Sequence, residues 1–158
     1  SGTQTLGITA GTSDVTFTGA VSGLDATTIS SAKDVTASST FGAVSLTQTV
    51  GTGTTQLVGQ LTTSGLVNLS TATLNLDGGI NAGDAVTLSG STAILLGSDI
   101  TTSADDVTFV NDVTLDDATG VLIKITAHHG INNTGIIFTQ SKRKSISFIV
   151  EDNFAATT

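Results

Sequence analysis

Two pairs of adjacent acids, Asp105–Asp106 and Asp116–Asp117, are the side chains of this 158-residue chain best suited to chemistry. Clustered carboxylates are what glycosidic general acid–base catalysis requires. Adjacent residues of a strand point to opposite faces, however, so we expect neither pair to act as a dyad by itself. Asp side chains also commonly bond their own backbone at turns, and we interpret both pairs in this way. The sequence therefore predicts no catalytic residue and no enzyme.

A weak calcium motif lies between Asp77 and Asp84, in the stretch DGGINAGD. It resembles one unit of the glycine–aspartate repeats in which carboxylate and carbonyl oxygens surround a calcium ion. The strict nonapeptide is missing and the stretch occurs once, which favours an ordinary turn. We predict no cofactor, and calcium is the one ion left open, through Asp77 and Asp84 or through the acidic surface as a whole.

The pair His128–His129 offers imidazole groups that can bind metals. We expect the two neighbours to face opposite ways, and the sequence shows no third ligand beside them. A turn before Gly130 is the preferred interpretation, and no metal site is predicted here. The two glycosylation sequons, which begin at Asn68 and Asn132, matter only in a host that glycosylates exported proteins.

Positive charge is concentrated in one basic run, Lys142, Arg143 and Lys144. Three charges are fewer than a lipid-binding cluster normally has, so a solvated turn is the simplest interpretation. If the run binds anything, we expect the acidic body of a neighbouring copy. The whole chain has 13 acidic and 5 basic residues and a net charge of −8. A nucleic-acid partner is therefore excluded, because such a surface repels phosphate backbones.

The cellular setting is suggested by what the sequence lacks. No apolar run approaches the 18 residues of a membrane helix, so we predict no transmembrane segment. The chain has no Cys, which fits passage through an oxidising compartment. It begins at Ser1 without a leader pattern, and we interpret it as a mature product or a fragment of a longer protein. We expect an extracellular or cell-surface location.

Short strands dominate the part of the chain before Gly120. Thr and Ser together make up nearly a third of the sequence, and the apolar residues alternate with them over runs closed by Gly, Ser, Asn or Asp. This period of two, with turns every ~8–12 residues, is the pattern of half-buried strands in an all-β protein. The runs that show it best are Asp14–Thr18, Ala43–Thr49, Leu66–Ser70, Ala72–Leu76, Ala85–Ser89 and Asp106–Val110.

Internal similarity indicates a repeat. The similar pairs are Asp14–Thr16 with Asp34–Thr36, Leu61–Ser64 with Ile100–Ser103, Asp25–Ser30 with Asp84–Ser89, and Ile8–Phe17 with Ile100–Phe109. The offsets lie loosely near multiples of ~20 residues, the size of one coil in a solenoid. Stacked coils would complete each other's hydrogen bonds and bury a continuous apolar column. The absence of Pro fits strands that are paired on both edges.

The sequence changes character near Gly120. We predict a β-solenoid repeat region over residues 1–119 and an atypical terminal coil, cap or docking segment over residues 120–158. In the second region, Val121–Ile125, Ile136–Phe138 and Ser145–Val150 are the more apolar strands. A β-sandwich subunit is the alternative fold.

The Thr- and Gly-rich runs Leu6–Val21, Ser45–Thr55 and Leu76–Leu88 resemble the repeat regions of filamentous-haemagglutinin-like and autotransporter-type bacterial surface adhesins. The resemblance covers about Gly7 to Leu115. It implies a right-handed parallel β-helix, export across the bacterial envelope, and a role as a stalk or filament in adhesion or matrix. It supplies no catalytic motif.

These observations predict a non-enzymatic structural module of an exported bacterial surface or extracellular filament protein. Its expected partners are copies of itself or flanking repeats of a longer chain, and host or matrix glycans that contact broad hydroxyl-rich faces. Two alternatives remain open: a fibre subunit that assembles by donating an edge strand, and a β-helical polysaccharide-active enzyme or phage fibre segment.

Overall fold

The computed structural model describes residues 4–116, 122–135, 137–139 and 145–151. Every regular element within these ranges is a β-strand. In chain order the strands are β1 (Gln4–Thr9), β2 (Val15–Phe17), β3 (Val21–Ser31), β4 (Val35–Ala37), β5 (Phe41–Gln48), β6 (Thr54–Leu57), β7 (Leu61–Thr63), β8 (Val67–Leu76), β9 (Ile80–Ala82), β10 (Val86–Leu96), β11 (Ile100–Thr102), β12 (Val107–Phe109), β13 (Val113–Leu115), β14 (Ile123–Ala127), β15 (Ile131–Asn133), β16 (Ile137–Thr139) and β17 (Ile146–Val150).

The strands stack as a β-solenoid of about seven turns, and all strand pairings in the described part of the chain are parallel. The predicted parallel solenoid is confirmed, and the alternative β-sandwich is wrong because such a subunit would pair its strands antiparallel. At ~4.8 Å between neighbouring strands, seven turns form a rod about 30–35 Å long.

Each coil contributes to three faces. Face 1 contains β1, β12, β15, the first halves of β8 and β10, and the main part of β3 and β5. Face 2 contains β2, β4, β6, β13, β16 and the second halves of β8 and β10. Face 3 contains the first residues of β3 and β5, followed by β7, β9, β11, β14 and β17.

The coil length is close to the predicted value. On face 2, Val15 pairs with Val35 and Val35 pairs with Thr55, so each of these steps matches a solenoid coil of about 20 residues. The last step on this face is longer, since it runs from Leu115 to Thr139. The strands after Gly120 nevertheless continue the same three faces, with β14 on β11 and β17 on β14.

Three of the four internal alignments match the structure, and one is wrong. Three alignments each relate two strands of the same face: β2 and β4 at an offset of 20 residues, β7 and β11 at 39, and β3 and β10 at 59. The alignment of Ile8–Phe17 with Ile100–Phe109 instead joins different faces, because Phe17 is in β2 on face 2 and Phe109 is in β12 on face 1. The sequence identity between these two segments reflects the alternation of apolar and polar residues, which the strands of all three faces share.

The core is the column of inward-facing side chains. Within the three-residue strands β2, β4, β7, β9, β11, β12, β13 and β15, the first and third residues point inward and the second points outward, as in Ile80–Ala82 and Val107–Phe109. Most inward positions hold Val, Ile, Leu or Ala, and each coil buries its side chains against those of the next coil. Since one coil alone could bury only one face of each strand, the coils depend on their neighbours for a core.

Gln48 and Thr55 form a polar pair within the core. Gln48 and Thr55 are each 1% exposed, and the Thr55 hydroxyl donates a 2.7 Å hydrogen bond to Oε1 of Gln48. The Nε2 group of Gln48 has no hydrogen-bond partner among the described residues. Gln48 lies between Ile29 and Leu69 on face 1, so it interrupts a run of aliphatic side chains.

Helices are absent from the described ranges, so none of these residues forms a helix long and apolar enough to cross a membrane.

Candidate functional site

The corner between face 3 and face 1 brings together ionisable side chains that are far apart in sequence. Asp84 lies two residues before β10, Asp105 two residues before β12, and His129 two residues before β15. Because these strands stack in register, equivalent positions of successive coils become neighbours along the rod axis. His129 therefore lies next to Asp105 although it comes a full coil later in the sequence.

Asp105, Asp106 and His129 form a compact group. One ligand atom from each residue can be chosen so that all three lie within 4.8 Å of one another. Nδ1 of His129 is 3.7 Å from Oδ1 of Asp105, and these two side chains are 58% and 48% exposed. We refer to Asp105, Asp106 and His129 as the corner cluster. Two carboxylates and one imidazole are a ligand set that divalent transition metals accept.

Neighbouring groups hold the two carboxylates in place. The Asn132 side-chain amide donates a 2.9 Å hydrogen bond to Oδ2 of Asp106, and the backbone N–H of Asp106 donates one of 2.9 Å to Oδ1 of Asp105. Gly130 lies against Asp106, and an added Cβ there would be 3.1 Å from Oδ1 of Asp106. The glycine thus leaves room for the carboxylate beside the next coil.

The structure corrects two expectations about this corner. Asp105 and Asp106 precede β12 and are not part of it, so they do not alternate across a strand and their carboxylates approach each other. His128 and His129 also do not point apart, because their rings contact edge to face with centroids 4.8 Å apart. The two carboxylates that lie beside His129 come from the preceding coil, which the sequence alone did not indicate.

The remaining predicted acids lie elsewhere. Asp77 precedes β9 and Asp84 follows it. Oδ2 of Asp77 accepts a 3.0 Å hydrogen bond from the side-chain amide of Gln56, and Oδ1 of Asp84 accepts one of 2.9 Å from the backbone N–H of Ala85. Asp116 follows β13, and its partner Asp117 lies outside the described residues. The calcium interpretation of Asp77 and Asp84 stays a prediction, as does the interaction role of Lys142, Arg143 and Lys144, which are also outside the described residues.

A second charged group lies before β4. The Nζ of Lys33 is 2.9 Å from Asp34 and 3.8 Å from Asp14. The backbone N–H of Thr54 donates a 2.6 Å hydrogen bond to Asp34, and this bond, together with Lys33, lowers the pKa of Asp34 below its ordinary 3.8. The hydrogen bond to Asp34 and the nearby charge of Asp14 raise the pKa of Lys33 above 10.5. These contacts pair the charged groups of the turn before β4 and connect adjacent coils to each other.

Face 1 presents a row of polar side chains to solvent. From the second coil onward, the middle residue of the face 1 strand is Thr or Asn, and these residues are register neighbours from one coil to the next; the first coil has Gly7 at this position. We call this set the hydroxyl row: Thr28, Thr47, Asn68, Thr87, Thr108 and Asn132. Both sequon asparagines belong to it and are exposed. The row is a polar strip that runs along the rod axis.

A shallow groove of about 540 Å³ lies on face 3. Its polar side chains are Gln60, Asn81, Ser98, Asp99 and Thr101. Asp99 is already engaged, because its Oδ1 accepts a 2.8 Å hydrogen bond from the backbone N–H of Lys124. The groove can offer hydrogen bonds to a hydroxyl-rich ligand, but the chain has no Trp or Tyr for stacking against a sugar ring.

Comparison with known proteins adds no relative: no protein-family model, curated protein or solved structure matches this chain.

Proposed function

We propose that this chain is a non-enzymatic structural module, a stiff stalk segment of an exported surface or filament protein. The observation that carries the proposal is the parallel strand pairing that continues from coil to coil through the described chain. A strand between two coils has both edges hydrogen-bonded, and these bonds run along the rod axis. Bending such a rod strains hydrogen bonds on one side and the apolar column inside it, which makes the segment stiff.

The surface chemistry supports a role in which rods remain separate and hydrated. The net charge of −8 makes copies repel one another, and the hydroxyl row keeps face 1 polar. Adhesive contact, if the module makes any, would use broad faces such as the hydroxyl row and the face 3 groove. Host or matrix glycans fit this chemistry because they present many hydroxyl groups.

Export can be tested on the organism that makes the protein. Antibodies raised against the purified chain are applied to intact and to permeabilised cells, with an antibody against a known cytoplasmic protein as the control. We expect labelling of intact cells, and loss of that signal after brief protease treatment of the cell surface. Labelling that needs permeabilisation would contradict the surface role.

A second candidate function is a fibre subunit that assembles end to end, and the last coil favours it. Within the described part of the chain, β15, β16 and β17 each pair on one side only, as do β1 and β2 at the other end. Phe148 and Val150 are both 46% exposed and, with Ile131 and Ile137, border an apolar depression of about 440 Å³. A coil from another copy, or from a flanking repeat, would cover this surface.

Light scattering and electron microscopy of the purified chain separate the two candidates. A stalk segment stays monomeric at all concentrations, whereas a fibre subunit forms filaments many times longer than one rod of about 30–35 Å. In the second case, Phe148→Lys should abolish filaments while the monomer keeps its β-sheet circular dichroism. Exposed Val44, on an earlier coil, provides the matched control, and Val44→Lys should leave filaments intact.

A further inference from the structure

We propose that the corner cluster binds a divalent transition cation of the zinc class. The inference is independent of the stalk proposal, because it depends only on the side chains of Asp105, Asp106 and His129. Their donor atoms are already within 4.8 Å of one another. Zinc bonds to His and carboxylate ligands are about 2.0–2.2 Å long, so two donors of a tetrahedral site lie about 3.4 Å apart. The 3.7 Å separation between His129 Nδ1 and Asp105 Oδ1 is close to that value.

The donor set selects the class of ion. Calcium and magnesium prefer sites made entirely of oxygen ligands, and an imidazole contributes little to them. Zinc, cobalt and nickel accept one imidazole with two carboxylates. Because Asp105 and His129 are half-exposed, water is available to complete the coordination sphere. The Asn132 amide holds Oδ2 of Asp106, which is the type of outer hydrogen bond that orients a ligating carboxylate.

The position of the cluster gives the ion a structural consequence. Asp105 and Asp106 precede β12, and His129 precedes β15, so one ion would join two successive coils at the corner between face 3 and face 1. The joined coil is the last one in the described chain, where the strands pair on one side only. Since metal bound to the folded state alone stabilises it, binding should raise the melting temperature.

Zinc titration of the full chain by isothermal calorimetry tests the proposal, with circular dichroism to confirm that each variant is folded. We expect one saturable site, and at least a tenfold loss of affinity in His129→Ala and in Asp105→Asn. Two matched controls should bind as the parent does. His128→Ala removes the adjacent imidazole, and Asp84→Asn removes the carboxylate at the equivalent position one coil earlier.

Thermal melting supplies a second readout. Zinc should raise the melting temperature of the parent and of His128→Ala, and should leave that of His129→Ala unchanged. Equal zinc affinity in all four variants would show diffuse binding to an acidic surface and would overturn the proposal. So would calcium binding as tight as zinc binding, because it would mean that the imidazole contributes nothing.

Discussion

At the scale of single residues, the buried Gln48–Thr55 pair is the feature of the core that most departs from its surroundings. A buried hydrogen bond contributes little net stability, while a buried donor without a partner costs about 1–3 kcal/mol. Gln48 combines the two situations: its Oε1 accepts a hydrogen bond, whereas its Nε2 donor has no partner in the described part of the chain. The equivalent positions on the adjacent coils hold Ile29 and Leu69, so the site accommodates an aliphatic side chain of similar size.

We expect the double substitution Gln48→Leu with Thr55→Val to stabilise the protein by about 1–3 kcal/mol, because it removes both polar groups together. Thr55→Val alone should destabilise it by a similar amount, since it leaves the whole Gln48 amide without a partner. Urea denaturation of the parent, the double variant and the single variant measures both effects. If the double variant is less stable than the parent, the pair has a stabilising role that its hydrogen bonding does not explain.

The corner cluster shows what residue types can and cannot reveal. Asp105, Asp106 and His129 are recognisable in the sequence as possible ligands, but adjacency along the chain was the wrong guide to their neighbours. The useful signal is position within the coil, because Asp105 and His129 each lie two residues before a face 1 strand. Finding it requires the strand register, and the lengthening of the last coil conceals that register in the sequence.

At the scale of elements, the corner between face 2 and face 3 depends on glycine where coils stack closely. Gly19, Gly59 and Gly78 each lie two residues after a face 2 strand. An added Cβ at Gly78 would clash with the carbonyl group of Gly59, whereas one at Gly19 would meet no atom of the described chain within 4 Å. The same position is therefore crowded inside the stack and open on the first coil.

Gly78→Ala should consequently destabilise the protein by about 1–3 kcal/mol, the usual cost of forcing extra atoms into packed structure. Gly19→Ala is the matched control and should change the free energy of unfolding by less than about 0.5 kcal/mol. Chemical denaturation of both variants under the same conditions makes the comparison. Equal destabilisation by the two substitutions would show that a general loss of glycine flexibility, and not contact between coils, is responsible.

Element types were predictable because alternation of apolar residues with Thr or Asn depends only on the strand itself. The face to which a strand belongs was harder to predict, since all three faces share that alternation. Ile8–Phe17 and Ile100–Phe109 look alike for this reason and yet differ in face. The other three alignments were informative because their offsets are close to whole numbers of coils, while the offset of this one is not.

At the scale of the whole molecule, a solenoid is close to a one-dimensional stack in which each coil contacts only its neighbours. Leu57 and Leu76 pair at the same position of successive coils, so residues 58–76 amount to one complete coil. Removing them would connect Leu57 to Asp77, and the chain would continue on the correct face. The neighbours that result on face 3, Phe41 and Ile80, both have buried inward side chains.

We therefore expect the variant that lacks residues 58–76 to fold cooperatively, with β-sheet circular dichroism per residue like that of the parent and a rod shorter by ~4.8 Å in X-ray scattering.

A smaller deletion, of Val67–Leu76, is the control. It removes the face 1 and face 2 strands of one coil and directs the chain from β7 straight into β9, which must occupy face 3 again. That variant should lose cooperative unfolding although it lacks fewer residues, because complete coils, and not chain length, determine whether the column closes. Unfolding of both variants would mean that the coils are not interchangeable, and folding of both would mean that the three-faced register is not required.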